Sequence, residues 1–258
     1  MKVVLLAGGF GTRYLELTKK IPKPLINVGN KPIIFHLMRH FVYYGHSEFI
    51  ICCGYKYNLL YNYFANEFSG KKKFHLSKSK NYITISFIYL KSLWNIKLVN
   101  TGLNTQTGGR INKIRNFLND SSDENFFLSY ADGLSNINLD ALKYFHKNKK
   151  SDATVTIVKI KNQYGVENIK RDIVKTFSEK PNNPYYINGG FFILNKKILK
   201  FTKYDNDIWE SDCIPRIMKK NTLYAYKHTG FWQSMDNFHD KIKLDKYLKN
   251  NFMYFLNE

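Results

Sequence analysis

Residues 2–24 read KVVLLAGGFGTRYLELTKKIPKP. The apolar run at 2–7 is rich in Val and Leu, which predicts a strand buried on both faces of a parallel sheet. Gly8, Gly9 and Gly11 follow directly, and glycine lets a backbone turn sharply and approach a ligand closely. The sequence therefore predicts a first strand that ends in a glycine turn at one edge of the sheet.

The glycine turn carries the features of an anion-binding loop. Successive backbone N–H groups in such a turn form a concavity that binds anions. Thr12 adds a hydroxyl donor, while Arg13 and Lys23 add positive charge suited to a polyphosphate. The dinucleotide pattern GxGxxG fails because position 14 is Tyr, and the pattern GxxxxGK[ST] is absent. The remaining alternatives are a different polyphosphate loop and a tight turn with incidental charge.

Strand and helix patterns alternate along the rest of the chain. Further strands are predicted at 49–53, 82–90, 96–100, 125–130, 153–160, 173–177, 190–194 and 223–228. Helices are predicted at 31–44, 56–67, 109–118, 138–149, 195–202, 208–219 and 237–250. This order indicates an α/β fold with a doubly wound, mostly parallel, Rossmann-like sheet. The alternating segment 82–90 predicts a half-exposed strand in a hairpin with 96–100, as a small β excursion.

Two local signals refine the helix predictions. Pro32 suits the first position of the helix at 31–44, and Gly45 suits its C-terminal cap. Pro215 should kink or interrupt a helix within 208–219. No linker, repeat or low-complexity tract is visible, so a single domain over 1–258 is the simplest organisation.

Composition limits the possible partners. The 258 residues include 40 basic and 20 acidic side chains, a formal charge of +20 that attracts anions. The lysine runs are short and scattered, unlike a nucleic-acid-binding arm, and favour a solvated basic surface with part of its charge at a phosphate site. No run approaches the roughly 20 apolar residues of a membrane span, and no signal peptide is visible. A cytoplasmic protein is expected.

Cysteine and histidine side chains offer weak metal signals. Cys52, Cys53 and Cys213 lack metal-ligand spacing, so buried reduced thiols are expected. His36 and His40 lie four residues apart on a predicted helix, which permits a metal pair. A third ligand is lacking nearby, and ordinary histidines on the polar face of that helix are the favoured interpretation.

Several motifs resemble one known family, the sugar-phosphate nucleotidyltransferases. Their opening signature is GGxGTR followed by a lysine of the PKP type, as at 8–13 and 22–24. Further segments look like the glucose-1-phosphate cytidylyltransferases within that family: INVGNKPI, FIICCGYKYNLLYNYF, NTQTGGRI, SYADG, SEKP, INGGFFILN and GFWQSMDN. The resemblance covers almost the whole chain. It implies transfer of a cytidylyl group from CTP to α-D-glucose 1-phosphate, giving CDP-glucose and pyrophosphate.

The resemblance also implies a cofactor, an assembly and a pathway. Mg²⁺ is the expected metal and a homo-oligomer the expected assembly, and relatives make precursors of surface polysaccharides such as O-antigen. The nucleotide-binding part is expected at about 1–135 and the sugar-phosphate-binding part at about 136–258. Neither nucleic acid nor a membrane is expected as a partner.

Site residues follow from the motifs and the resemblance together. Asp132 comes just after the predicted strand 125–130, where parallel strands meet a ligand crevice. By resemblance, Asp132 and Asp236 bind the metal, and Arg13, Lys23 and Asp132 are catalytic. The nucleotide is assigned to Leu6, Gly8, Gly9, Gly11, Thr12, Arg13, Lys23, Thr107, Gly108 and Arg110. The sugar phosphate is assigned to Tyr130, Glu179, Lys180, Asn188 and Gly189.

Some residues depart from the family pattern. Ala131 stands where the family usually has Gly, and adds a methyl group beside the site. Segment 159–169 keeps Tyr164-Gly165 but adds the charge of Glu167, in a region that borders the sugar in relatives. The alternatives are therefore an enzyme of the family that uses TTP, UTP or another sugar 1-phosphate, a non-catalytic nucleotide-binding regulatory subunit, and a nucleic-acid-binding module.

Overall fold

The computed structural model describes residues 1–12, 18–160, 166–170, 173–178, 185–220 and 223–250. Its strands are β1 Val3–Ala7, β2 Asn27–Val28, β3 Lys31–Pro32, β4 Glu48–Cys53, β5 His75–Lys78, β6 Tyr82–Tyr89, β7 Ser92–Asn100, β8 Asn125–Tyr130, β9 Gly133–Ser135, β10 Ala153–Ile160, β11 Val166–Lys170, β12 Ile173–Ser178, β13 Tyr185–Asn195, β14 Leu223–His228 and β15 Trp232–Ser234. Its α-helices are α1 Ile33–Tyr43, α2 Tyr57–Glu67, α3 Thr107–Lys113, α4 Arg115–Asn119, α5 Leu139–Asn148, α6 Ile214–Met218 and α7 Phe238–Asn250. Short 3₁₀ segments cover Lys23–Leu25 and Lys196–Phe201, and a π-helical turn covers Trp209–Cys213.

A nine-stranded sheet forms the centre of the described structure, in the order β14-β10-β13-β8-β1-β4-β7-β6-β5. Strand β1 pairs in parallel with both β4 and β8, so it lies in the middle of the sheet. Among these nine strands, β13 and β6 are antiparallel to the other seven. The predicted α/β fold with a mostly parallel sheet is therefore confirmed.

The two faces of the sheet carry separate hydrophobic layers. Successive side chains of a strand point to opposite faces, and all five residues of β1 are buried. Val3 and Leu5 belong to one layer with residues of α1 and α2, whereas Val4 and Leu6 belong to another with residues of α3 and 196–201. Burial on both faces explains why KVVLLA is continuously apolar instead of alternating.

The predicted excursion at 82–90 is confirmed. Strand β6 alternates between buried and half-buried residues and pairs antiparallel with β7. Strand β7 begins at Ser92, before the predicted 96, because the hairpin turn lies at Leu90 and Lys91, where both φ angles are positive.

Helix α1 ends as the glycine signal predicts. Gly45 has φ +78°, its N–H donates to Val42 O at 2.8 Å, and His46 N–H donates to Phe41 O at 3.0 Å. This is the double hydrogen bond of a Schellman cap. The helix starts at Ile33, one residue after Pro32, because Lys31 and Pro32 pair with Asn27 and Val28 in a short ladder.

Three predicted helices differ in form. The helix predicted at 109–118 is the pair α3 and α4, and the one predicted at 195–202 is a 3₁₀ segment. The segment 208–219 divides into a π-helical turn and α6, with Pro215 in the first turn of α6. This break agrees with the expectation for Pro215, since proline lacks the N–H that an uninterrupted helix requires.

The cysteines and histidines lie in the interior. All three cysteines are free and buried, as predicted, and burial raises the pKa of Cys52 to about 12. His36 and His40 are also buried, so the expected position on a polar face is wrong. His36 Nε2 lies 2.8 Å from Val28 O, and the His40 ring contacts Tyr44 and Phe191. In the part of the chain that the structure describes, no helix is long and apolar enough to cross a bilayer.

Helix α3 lies unusually close to the segment before the π-helical turn. A Cβ atom on Gly109 would lie 2.3 Å from Asp205 O, and one on Gly108 would lie 2.5 Å from Cys213 Sγ. Gly109 N–H also donates to Asp207 O at 3.1 Å. The two glycines of the TGGR motif therefore let two backbones approach each other.

Gly109→Ala is expected to lower the free energy of unfolding by about 1–3 kcal/mol, because the added methyl group overlaps a backbone oxygen. This cost exceeds the roughly 0.5–1 kcal/mol that alanine gains over glycine in a helix. Chemical denaturation measures it. Gly70→Ala is the control, because a Cβ atom there meets nothing within 4 Å. Equal stability changes in the two variants would contradict the close approach.

Candidate active site

A cavity of about 370 Å³ opens where β1 and β8 end. These parallel strands are neighbours, so the chain leaves both at the same edge of the sheet. The residues that line the cavity are Leu6, Ala7, Gly8, Gly9, Phe10, Gly11, Thr12, Lys23, Pro24, Leu103, Asn104, Thr105, Gln106, Thr107, Arg110, Tyr130, Ala131, Asp132 and Asp236. This is the crevice in which α/β sheets typically bind ligands.

The glycine turn forms one wall of this cavity and requires glycine at two positions for different reasons. Gly11 has φ +66°, a conformation that side chains with a Cβ atom disfavour. A Cβ atom on Gly8 would lie 2.2 Å from the Arg110 guanidinium. Gly9 faces open space, since a Cβ atom there would meet nothing within 4 Å. The turn is thus packed against Arg110 at Gly8 and open to the cavity at Gly9.

Arg110 lies beneath the glycine turn and is 4% exposed. Its guanidinium donates to Gly8 O at 2.9 Å, to Cys53 O at 3.0 Å and to Thr101 Oγ1 at 2.6 Å. Further bonds reach the carbonyl oxygens of 102 and 103. All of these acceptors are uncharged, so none of them cancels the positive charge of Arg110. The N–H groups of the guanidinium hold the backbone of the glycine turn in place.

Lys23 lies between two carboxylates that also line the cavity. Its Nζ is 2.7 Å from Asp132 Oδ2 and 3.0 Å from Asp236 Oδ1. The Lys23 side chain is 10% exposed, whereas the carboxylates are 31% and 34% exposed. Burial lowers the pKa of Lys23, but the two aspartates outweigh this effect and raise it above 10.5, so the ammonium stays charged.

The two aspartates are brought together by a short ladder. Strand β9, which follows Asp132, pairs antiparallel with β15, which precedes Asp236. Met235 N–H then donates to Asp132 O at 2.8 Å. Ser234 Oγ donates to Asp236 Oδ2 at 2.9 Å and orients that carboxylate. Residues about a hundred positions apart in the chain thereby reach the same point of the cavity.

Lys23 itself is placed by a rigid local structure. The 3₁₀ segment Lys23–Leu25 has Pro22 before it and Pro24 within it. Its turn closes with the bond from Leu25 N–H to Pro22 O at 2.8 Å. Since proline fixes φ, the PKP sequence holds the lysine backbone while its four-carbon stem keeps rotational freedom.

A second group of polar side chains extends from the cavity towards β13. Asn188 Nδ2 donates to Tyr130 Oη at 3.2 Å, and Asn188 Oδ1 accepts from Gly190 N–H at 2.8 Å. Gly189 O accepts from the Trp232 indole at 2.7 Å. The NGG motif is therefore an irregularity within β13, with positive φ at Gly190.

Glu210, which the sequence did not single out, connects Thr107 of the cavity with Tyr130, the residue bonded to Asn188. Its carboxylate accepts hydrogen bonds from the Tyr130 hydroxyl and from Thr107 Oγ1, the latter at 3.4 Å. Burial and the neighbouring Glu210 raise the pKa of Tyr130, so its hydroxyl remains a donor. Glu210 lies in an ordinary WESD segment of no known motif, so local sequence offered no signal for it.

The cavity gathers most of the predicted nucleotide site. Lining positions include Leu6, the three glycines, Thr12, Lys23, Thr107 and Arg110. Gly108 is different: it packs against Cys213 and Asp207 and does not line the cavity. Arg13, Glu179, Lys180 and the pair at 164–165 lie outside the described residues.

The described residues contain no group of three or more His, Cys, Asp and Glu side chains that could hold a metal by itself. A metal at Asp132 and Asp236 would therefore take its other ligands from substrate and water. Such a composition suits Mg²⁺, which usually binds one or two carboxylates together with substrate phosphates.

Comparisons with known proteins agree with this architecture. The model of the nucleotidyl transferase family matches residues 2–249. The chain is similar to the glucose-1-phosphate cytidylyltransferase of Salmonella typhimurium, with 37% identity over 246 residues, which are 95% of each chain. The mannose-1-phosphate guanylyltransferase 1 of Arabidopsis thaliana is 28% identical over 94% of this chain and 63% of its own.

Solved structures share the fold at lower identity. HddC from Yersinia pseudotuberculosis, complexed with GMP-PN, gives a TM-score of 0.70 at 22% identity and covers 96% of this chain and 99% of its own. A UDP-glucose pyrophosphorylase complexed with UDP-glucose gives a TM-score of 0.67 at 19% identity, covering 97% and 99%. Fold, cavity and sequence thus lead to one assignment: the chain belongs to the nucleotidyl transferase family.

Proposed function

We propose that this chain transfers a cytidylyl group from CTP to α-D-glucose 1-phosphate, giving CDP-glucose and pyrophosphate. The observation that carries the proposal is the cavity in which a glycine turn faces Lys23, Asp132 and Asp236. The cytidylyltransferase relative, 37% identical over 95% of the chain, supports the choice of base and sugar.

The reaction needs charge stabilisation more than proton transfer. The attacking oxygen belongs to a sugar phosphate whose second pKa is about 6, so it is already anionic near neutral pH. It attacks the α-phosphorus, the bond to the bridging oxygen of the leaving group breaks, and pyrophosphate departs with the electron pair. The barrier lies in bringing anions together and in stabilising charge on the phosphates.

The chain's own residues can meet these needs. The N–H groups of the glycine turn and Thr12 bind the triphosphate, and Arg110 strengthens this wall by its charge. Lys23 neutralises phosphate oxygens, because its side chain also lines the cavity. Arg13 contributes a further cation, as the resemblance implies. Together they hold the triphosphate in line with the incoming sugar phosphate.

Asp132 and Asp236 are proposed to hold Mg²⁺. Nucleotidyl transferases generally use a divalent metal, and both carboxylates face the cavity with about a third of their surface exposed. When bound, the metal supplies positive charge to phosphate oxygens and orients them. The residues present fit this role, because two carboxylates leave coordination positions for phosphate and water.

The sugar phosphate is proposed to lie beside Tyr130, Asn188 and Gly189, with Glu179 and Lys180 contributing as the resemblance implies. The hydrogen-bonded chain from Asn188 to Tyr130 and Glu210 supports this position, because sugar hydroxyls are recognised by fixed donors and acceptors. Gly108 shapes the helix beneath the nucleotide instead of touching it. A homo-oligomeric state, a cytoplasmic location and a division near residue 135 stay predictions.

A second candidate is the same reaction with another base or sugar 1-phosphate. The guanylyltransferase relative, 28% identical over 94% of the chain, favours it. Segment 159–169 departs from the family pattern, in a region that borders the sugar in relatives. A regulatory subunit without activity is disfavoured, because Lys23, Asp132 and Asp236 are all present and in contact.

Pyrophosphate release from each pair of nucleoside triphosphate and sugar 1-phosphate tests the proposal. We expect the highest kcat/KM with CTP and α-D-glucose 1-phosphate in the presence of Mg²⁺, and no release after chelation. A higher kcat/KM for another pair would select the second candidate. Absence of release with every pair would refute enzymatic activity.

Asp132→Asn is expected to lower kcat by roughly two to three orders of magnitude, because it removes a negative charge from the proposed metal site. The fold should survive, since an amide still accepts the hydrogen bond from Lys23. Steady-state kinetics and circular dichroism provide the measurements. Asp140→Asn, which removes a carboxylate paired with Lys143 on the surface helix α5, should retain normal kcat. Near-normal turnover by Asp132→Asn would overturn the metal assignment.

Arg110→Met is expected to weaken binding of a non-hydrolysable CTP analogue by about tenfold or more. The substitution removes both the charge behind the glycine turn and the hydrogen bond to Gly8 O. Arg115→Met is the control, because Arg115 also donates to buried carbonyl oxygens but does not line the cavity. Both variants should lose roughly 1–3 kcal/mol of stability. Calorimetry should show the affinity loss in Arg110→Met alone, and equal losses would contradict this role.

A further inference from the structure

We propose that Lys23 is the resident cation of the Asp132–Asp236 pair before substrate binds, and that a divalent metal replaces it only as the ammonium moves to the triphosphate. The inference rests on the proposed function, in which these two aspartates hold the metal. It adds an order of events to that function: before the metal binds, Lys23 already offsets part of the negative charge of the two aspartates.

The geometry supports a direct competition. Lys23 Nζ lies within 3.0 Å of one oxygen from each aspartate. A bound Mg²⁺ would lie about 2.0–2.1 Å from carboxylate oxygens. A metal held by Asp132 and Asp236 would therefore lie close to the Lys23 ammonium, and two cations repel each other strongly at such short range.

Electrostatics explains why some cation must be present. Two carboxylates held close together destabilise each other's charged forms unless a positive charge lies nearby. The ladder between β9 and β15 brings the two aspartates together by backbone pairing alone. Lys23 is mostly buried and supplies this charge from the protein side, while the carboxylates stay partly open to the cavity.

The same cavity offers the ammonium a second position. Gly9 and Thr12 line it together with Lys23, so a triphosphate bound at the glycine turn would occupy the same cavity as the lysine. The PKP backbone is rigid, whereas a four-carbon lysine stem can adopt more than one conformation. Phosphate oxygens can therefore draw the ammonium away and leave the aspartates to the metal. Metal and triphosphate then increase each other's affinity, as linkage requires.

Metal binding to nucleotide-free protein tests this exchange without measuring activity. The probe is Mn²⁺, followed by electron paramagnetic resonance and calorimetry. Lys23→Met is expected to bind Mn²⁺ about tenfold more tightly than the unmodified chain, because no internal cation has to be displaced. Lys143→Met is the matched control: it removes the same charge and leaves Asp140 without its lysine, but on the surface helix α5. Its Mn²⁺ affinity should stay within about twofold of the starting value.

Lys23→Gln provides a second variant in case the methionine side chain disturbs folding, since an amide can still donate to a carboxylate. It is also expected to tighten Mn²⁺ binding, and circular dichroism checks the fold of each variant. If neither folded Lys23 variant binds Mn²⁺ more tightly than the unmodified chain, the displacement idea is wrong.

A separate measurement distinguishes that failure from failure of the proposed function. In the presence of a non-hydrolysable CTP analogue, Asp132→Asn and Asp236→Asn should each reduce protein-bound Mn²⁺. If they do so while the Lys23 variants show no gain, the metal site stands and the role of Lys23 as its resident cation falls. If neither aspartate variant changes bound Mn²⁺, the metal assignment itself is refuted, and the inference with it.

Discussion

The contact of one ammonium with two carboxylates is the interaction on which the arrangement of the site depends. Lys23 comes from the segment after the glycine turn, Asp132 from the end of β8, and Asp236 from the segment after β15. Each is anchored by backbone structure of its own, yet their charges meet at one point of the cavity. A site for transferring groups between phosphates needs such opposed charges, because both substrates and the leaving group are anions.

The glycine turn shows a second way of placing positive charge beside the cavity. Arg110 is buried beneath the glycine turn and bonded to uncharged acceptors, so its charge is not cancelled by a carboxylate among them. The Gly8 peptide can lie against the Arg110 guanidinium because glycine lacks the Cβ atom that would collide with it. This arginine therefore links the loop after β1 to the end of β4 and to the segment after β7, and the shape and charge of the wall come from the same side chain.

The structure also shows that one motif can serve packing and binding together. In TGGR at 107–110, Thr107 and Arg110 line the cavity, whereas Gly108 and Gly109 allow α3 to lie against 205–213. That close approach brings Glu210 to Thr107 and Tyr130. A segment that the sequence analysis did not single out thus contacts two residues that line the cavity.

By itself the sequence determined the elements whose causes are local. Strand β1 follows from its apolar run, the end of α1 from Gly45, and the turn after β1 from Gly8 and Gly11. The motifs also identified the family, and with it the two aspartates. Only the tertiary structure decided that Lys23 lies between those aspartates, that Arg110 supports the turn from behind, that His36 and His40 are interior, and that Glu210 joins the site. These facts depend on contacts between residues far apart in the chain, and the pattern of neighbouring residues fixes backbone conformation but not which distant group a side chain meets.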